Sequence, residues 1–353
     1  MVLDKSKRVF GFKLVDEIPK VNCEKPTVPT LWLDTSVIIK LTKIGRGEAL
    51  QQIEVERLTR LKNLVQELVA NGKLLCPQAD QEDEYVADRL DEEVHGDFLV
   101  LSLGIRFRHR QGVFDYQAQL GMKAYVQRAV RINVPLRAHF YSDPVEELNN
   151  ARRRSIVIGA NLFRDPEMVA RRGIAKGEVL RMWENLRQEF VANKRTYDQQ
   201  LREEQRGYAD AMMQKVQEFE NKITSGVVPG FWEFMAVQGM LFFRVYWREL
   251  GGTPPGWEGL HDFFCSGYFN NLPIARIRAQ LGADLLTGYQ PILPGDMMDV
   301  ELLPVAVPAS HYVLTDRRMS ERIKRIGIDR QWQTEVYSMS DIDGLFSRLE
   351  LLR

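Results

Sequence analysis

Leu31-Trp32-Leu33-Asp34-Thr35-Ser36-Val37-Ile38-Ile39 is the stretch on which the fold turns. Three apolar residues run into an aspartate, two hydroxyl residues follow, and a second apolar run begins. This reads as a short buried strand closed by an acidic turn and followed by a helix. The pattern recurs. Lys73-Leu74-Leu75-Cys76-Pro77 leads into Asp80-Gln81-Glu82-Asp83-Glu84, and Tyr312-Val313-Leu314-Thr315 ends at Asp316. Asp296 and Asp299 stand together in Pro294-Gly295-Asp296-Met297-Met298-Asp299. In a parallel sheet such strand ends gather at the carboxyl edge, where open α/β folds place their sites. Carboxylates collected there make an oxygen-lined site suited to Mg²⁺ or Mn²⁺.

Downstream, Leu50, Ile53, Leu58, Leu61, Leu64, Val65, Leu68 and Val69 keep to one face at 3.6-residue spacing, so residues 49–71 are expected to be an amphipathic helix. Asn71-Gly72 supplies a left-handed stop. Leu74-Leu75-Cys76 is then a second strand, and Pro77 is expected to open the next helix. Strand, helix, strand, helix implies a parallel sheet. From 98 to 288 the pattern is helical with almost no strand signal. Residues 176–224 repeat apolar positions at three, four or seven, as a long amphipathic helix or a helical hairpin, coiled-coil in part; Gly207 is a candidate bend, which one glycine does not decide. An aromatic helix follows from Phe231 to Trp247. After Pro291 the α/β pattern resumes: a helix from Asp296 to about Val305, a strand 312–314, a basic helix Arg317 to Ile326, a strand 334–338 and a last helix Asp341 to Leu351. The expected fold is therefore α/β: an arm (1–27), a parallel-sheet domain assembled from 28–97 and 289–353, and an all-helical insertion (98–288).

The chain of 353 residues has 48 basic and 48 acidic side chains, so any surface for nucleic acid must be a local patch rather than a global field. Its three cysteines, Cys23, Cys76 and Cys265, are widely spaced and odd in number, which fits neither a disulfide framework nor a zinc pattern and points to a reducing cytoplasm. The charged N-terminus is unlike a signal peptide, and the most apolar run, 231–243, is too short to span a bilayer, so no membrane role is expected.

Each carboxylate also has an ordinary explanation. Asp34 and Asp316 are good helix N-caps. Asp296 and Asp299 are decorated-helix residues favoured by the dipole, although their spacing of three lets both approach one cation. In the run 80–84 most side chains belong to a solvated helix face; Glu84 is the first choice to face the cleft and Glu82 the second.

Taken together, Leu33-Asp34-Thr35-Ser36, the proline-led turn Pro77 through Glu84, Asp296 or Asp299 before the apolar helix Val300 to Val307, and Thr315-Asp316 give a layout that resembles PIN-domain nucleases. The resemblance covers residues 28–96 and 289–353, and the long insertion departs from the compact members. It implies a metal-dependent endonuclease, RNA being the preferred polymer over DNA. Asp34, Glu84, Asp299 (or Asp296) and Asp316 would hold one or two Mg²⁺ or Mn²⁺ ions, one activating a water and another steadying the leaving oxygen. Thr35, Ser36 and Thr315 would orient a ligand or a water. A toxin-like or defence role is implied by resemblance alone.

Arg317 and Arg318, directly after Asp316, are placed to meet a phosphate backbone. Arg106 and Arg108, in Arg106-Phe107-Arg108-His109-Arg110, could pair phosphates while Phe107 stacks, though a solvated face with Phe107 in the core is the plainer reading. The competing function is an inactive PIN-like scaffold that binds a partner, or a second copy, through its helical insertion. A phosphatase of another α/β class is a third; its Asp-x-Asp pair is absent, because Thr35-Ser36 follows Asp34.

Overall fold

The computed structural model describes residues 19–85, 91–153 and 166–353. Strand β1 (Lys20–Cys23) precedes β2 (Leu31–Leu33), after which come α1 (Thr35–Gly45), α2 (Gln52–Ala70), α3 (Glu82–Tyr85), α4 (Asp91–Ser102) and α5 (Arg110–Val126). Strand β3 (Arg131–Val134) leads to α6 (Pro144–Arg153), α7 (Pro166–Ala192), α8 (Tyr197–Thr224), α9 (Phe231–Glu249), α10 (Trp257–Cys265), α11 (Gly267–Asn270) and α12 (Pro273–Thr287). The C-terminal part is α13 (Pro294–Ala309), β4 (Tyr312–Leu314), α14 (Arg317–Ile326), α15 (Ile328–Trp332), β5 (Glu335–Tyr337) and α16 (Ile342–Glu350). The architecture is mixed α/β, mostly helical, with small parallel sheets.

The principal sheet has the order β2-β4-β5, all parallel, with Leu31, Trp32 and Leu33 opposite Tyr312, Val313 and Leu314. Two single parallel bridges extend it: Thr30 with Leu75, and Gln78 with Arg106. The backbone bonds are good ones, Leu31 N to Leu75 O at 2.8 Å and Phe107 N to Gln78 O at 2.8 Å. Counting these segments in chain order, the spatial order is third, second, first, fourth, fifth. The direction of winding reverses between β2 and β4, and a crevice at the carboxyl ends of two such strands is where open α/β sheets bind ligands. Asp34 and Asp316 terminate those two strands.

Local chemistry explains most elements. In α2, Leu58, Leu61, Leu64, Val65, Leu68 and Val69 are buried, each contributing roughly 1.5–3 kcal/mol of transfer free energy, and Gly72 takes the left-handed φ of 72° that ends it. Ile53, at the exposed first turn, stays outside that stripe. One contiguous cluster of buried side chains runs from β2, β4 and α2 into the aromatic packing of Phe114, Phe243, Phe263, Phe264 and Phe269, so the helical segment shares its core with the sheet.

Several expectations are corrected. The 98–288 segment is not all helical: β3 pairs in parallel with β1, the short edge strand that the N-terminal segment offers as the alternative to an arm, and residues 105–107 edge the principal sheet. Arg131-Ile132-Asn133-Val134 buries only Ile132 and Val134, too brief an alternation to stand out. Pro77 opens no helix, because Gln78 continues the sheet; the helix waits for Glu82. Residues 176–224 form the hairpin alternative, and its turn is at 193–196, where Thr196 and Gln199 close a capping box; Gly207 lies inside α8. Helix α13 continues through Pro304 and Pro308 to Ala309. The part of the expected insertion at 154–165 lies outside the described residues.

Candidate metal centre

Asp34 follows the last residue of β2, and its backbone N–H donates to Leu314 O at 2.9 Å, which locks the two strand ends together. Its side chain does two jobs. Oδ1 accepts the Ser36 N–H at 2.7 Å, capping α1, and Oδ2 accepts the Thr315 hydroxyl at 2.8 Å. Asp316 similarly caps α14 by accepting the Met319 N–H at 3.0 Å. Capping and ligation are therefore not alternatives here: a carboxylate has lone pairs for both, and the cap fixes the side chain's direction.

Asp299 arrives from the second turn of α13. Its carboxylate, with those of Asp34 and Asp316, offers oxygens that all lie within 4.8 Å of one another. Asp34 and Asp299 are 7% and 6% exposed, whereas Asp316 opens to solvent. Glu84, on α3, accepts a hydrogen bond from the Thr35 hydroxyl and lies close enough to act electrostatically on Asp299. Burial raises the pKa of Asp34 above the usual carboxylate range. Asp299 is pushed well up, first by burial and then by the charges of Asp34, Glu84, Asp316 and Asp296. Among the described residues, the charges that shift Asp299 are those of other carboxylates.

Buried carboxylates held together without a counter-charge are unfavourable unless protonated or bound to a positive ion. Hard oxygen donors that converge on one point, one of them open to water, match Mg²⁺ or Mn²⁺.

Asp296 is placed elsewhere, which corrects the expectation that it shares the cation. Its Oδ2 reaches back to the Leu293 N–H at 2.7 Å and pairs with Arg318 at 3.2 Å, while Oδ1 pairs with Arg322 at 3.1 Å. Arg322, 5% exposed, also donates to Asp284 on α12 at 2.7 Å, and Arg325 holds the same carboxylate at 2.6 Å. Asp284, Arg322 and Asp296 thus tie α12, α13 and α14 together behind the carboxylates.

The acidic run 80–84 divides its labour as well. Asp80 accepts the Arg110 N–H at 2.7 Å, Glu82 pairs with Arg106, and Glu84 turns to the centre. Gln81, unremarked in the sequence, is fully buried: its Nε2 donates to Leu33 O at 2.7 Å and its Oε1 accepts the Ala79 N–H at 3.1 Å. It pins the turn that carries Glu84 to the end of β2. A glutamine among acidic neighbours carries no signal of that role.

The arginines expected to meet phosphate are mostly engaged within the protein. Arg106 is paired to Glu82; Arg108 donates to Arg137 O at 3.1 Å and lies over the Tyr141 ring; Arg318 is bound to Asp296 and to Pro291 O. Arg317 is exposed beside Asp316 and pairs only loosely in effect, on the surface, with Glu321 at 2.8 Å. Phe107 is in the core, its ring tilted by 40° against that of Phe140 with centroids 4.9 Å apart. Among the described residues, no helix is long and apolar enough to cross a membrane.

No protein-family model matches this chain, and comparison with curated proteins and with solved structures likewise gives no match.

Proposed function

We propose that this protein is a metal-dependent nuclease of PIN-like architecture that hydrolyses phosphodiester bonds, with RNA preferred to DNA on the strength of the resemblance. The observation that carries the reading is the convergence of Asp34, Asp299 and Asp316 within 4.8 Å at the point where the sheet's winding reverses. These three would hold the ion or ions, with Glu84 beside them. A divalent ion held there supplies Lewis acidity and lowers the pKa of a water. The chain's own residues supply orientation. Thr315 and the Ser36 N–H hold Asp34 in one rotamer, the Met319 N–H holds Asp316, and Thr35 holds Glu84. Asp316, the exposed member, marks the side from which a polymer and water enter. The free cysteines fit the reducing cytoplasm proposed for it.

The test is cleavage of labelled single-stranded RNA and DNA with Mn²⁺, Mg²⁺ or EDTA, wild type beside Asp34→Asn. EDTA-sensitive cutting absent from the variant is expected; equal cutting by both proteins would sink the proposal. The scaffold reading keeps a place because Phe234, Phe242 and Val245 are exposed on α9. It expects no metal effect, and an oligomer or complex lost in Phe242→Glu with Val245→Glu.

A further inference from the structure

Residues Gly288 to Leu293 lead from α12 into α13, and charged side chains from three helices hold their backbone. Arg187 Nη1 donates to Gly288 O and to Tyr289 O, both at 3.1 Å, and Glu184 Oε2 accepts the Ile292 N–H at 3.0 Å. Both of these side chains come from α7. From α14, Arg318 donates to Pro291 O, and from α13 itself Asp296 accepts the Leu293 N–H at 2.7 Å. Glu184 and Arg187 grip each other as a fork, Nε to Oε2 at 2.9 Å and Nη2 to Oε1 at 2.5 Å, and Arg187 is only 9% exposed. The hydrogen bonds from Arg187 take the Glu184 pKa down to about 2, so the pair keeps both charges wherever the metal-site carboxylates are ionised.

This clamp bears on Asp299 through the helix that carries it. Leu293, the N-cap of α13, has no side-chain cap to offer, so the first turn is seated by its neighbours. A helix moves its side chains as one body. Rotation by one residue's worth, about 100°, takes Asp299 away from its partners, and a small fraction of that breaks the grouping within 4.8 Å. We infer that Glu184 and Arg187 are positioning residues of the metal centre, which clamp the entry of α13 to α7 and so set the rotation at which Asp299 meets Asp34 and Asp316. The inference rests on the metal-centre reading above and deepens it, since it gives a helix of the long insertion a part in placing a ligand. The Asp284–Arg322–Asp296 network acts on a side chain of α13; the clamp acts on the main chain that precedes it.

The experiment measures Mn²⁺ affinity by electron paramagnetic resonance, at a temperature where circular dichroism shows each protein fully folded. The variants are Arg187→Met, Arg187→Lys, Glu184→Gln and, as a control for stability alone, Val134→Ala at a buried position of β3. Arg187→Met is expected to weaken Mn²⁺ binding about tenfold, the lower end for loss of a partner behind a metal ligand. Arg187→Lys keeps the charge without the fork and is expected to recover part of that loss. Glu184→Gln keeps an acceptor for the Ile292 N–H and is expected to lose less than Arg187→Met. Val134→Ala is expected to lower the melting temperature and to bind Mn²⁺ as wild type does. A folded Arg187→Met protein with wild-type affinity overturns the clamp, as does equal weakening in Val134→Ala. If Arg187→Met does not fold, wild-type affinity in both Arg187→Lys and Glu184→Gln overturns it instead. A wild type that binds no Mn²⁺ overturns the metal centre itself and the inference with it, so the two failures are distinct.

Discussion

Asp296 and Asp299 sit on neighbouring turns of one helix, are equally buried, and meet opposite surroundings. Asp296 is enclosed by Arg318 and Arg322, in a network that continues to Asp284 and Arg325. Asp299 faces Asp34, Glu84 and Asp316, and among the described residues the charges that shift it are negative. The first region is electrostatically complete and holds helices together. The second gathers like charges, and the first fixes the backbone that bears them. Like charges can be kept at ligand distance only if the backbone bearing them is fixed by other contacts, and the arginine network supplies those contacts on the far side of α13 and α14.

The widest separation between the two regions is expected in catalysis. Asp34→Asn should cut the rate of Mn²⁺-dependent cleavage by more than about 100-fold, the upper range for loss of a group that merely orients a ligand, while leaving urea-induced unfolding of the metal-free protein unchanged or shifted to higher urea. In the arginine region the loss falls on stability instead. Asp296→Ala removes one of the two carboxylates that hold buried Arg322, Asp284 remaining, and should cost roughly 1–3 kcal/mol in urea unfolding, because buried guanidinium donors lose a charged acceptor. If that variant were as stable as wild type, the network would not be what secures α13.

A smaller effect of opposite sign is expected at Asp299. Metal-free Asp299→Asn should unfold at higher temperature than wild type, since it removes a charge that its neighbours oppose. The pH dependence has a definite sign. A carboxylate whose folded pKa is raised favours the fold fully below its unfolded value of 3.8 and loses that contribution as pH rises through the folded value. The contribution of Asp299 to metal-free stability should therefore decline as pH is raised above 3.8, so the melting temperature of Asp299→Asn relative to wild type should rise with pH, and saturating Mn²⁺ should reverse that difference. At the small end, Arg317→Ala should leave melting temperature unchanged, since its pair with Glu321 is solvent-exposed, and should alter RNA binding only at low salt.

The parts of the fold that were legible in the sequence are those set within a few residues. The stripe of α2, the stop at Gly72, the strand ends at Asp34 and Asp316 and the basic helix α14 all follow from periodicity and capping, which act over one turn. Brief segments escaped. β3 buries two side chains, and the edge at 105–107 makes a single bridge, so neither has enough alternation to be read. Pro77 suggested a helix start because its missing N–H suits one, yet the adjacent Gln78 is taken up by the sheet.

Patterns along the chain suffice for the class of architecture and for the short set of acidic residues from which a site could be built. Which of them meet depends on long-range packing. The Thr315–Asp34 hydrogen bond joins residues 281 apart in the chain, and the bonds that take Arg322 to Asp296 and Asp284 span 26 and 38. Caps and helical stripes are chosen by neighbours along the chain, but the partner of a buried charge is chosen by whichever distant segment packs against it. That is why Asp296 and Asp299, alike in type and nearly adjacent in sequence, part ways in the fold.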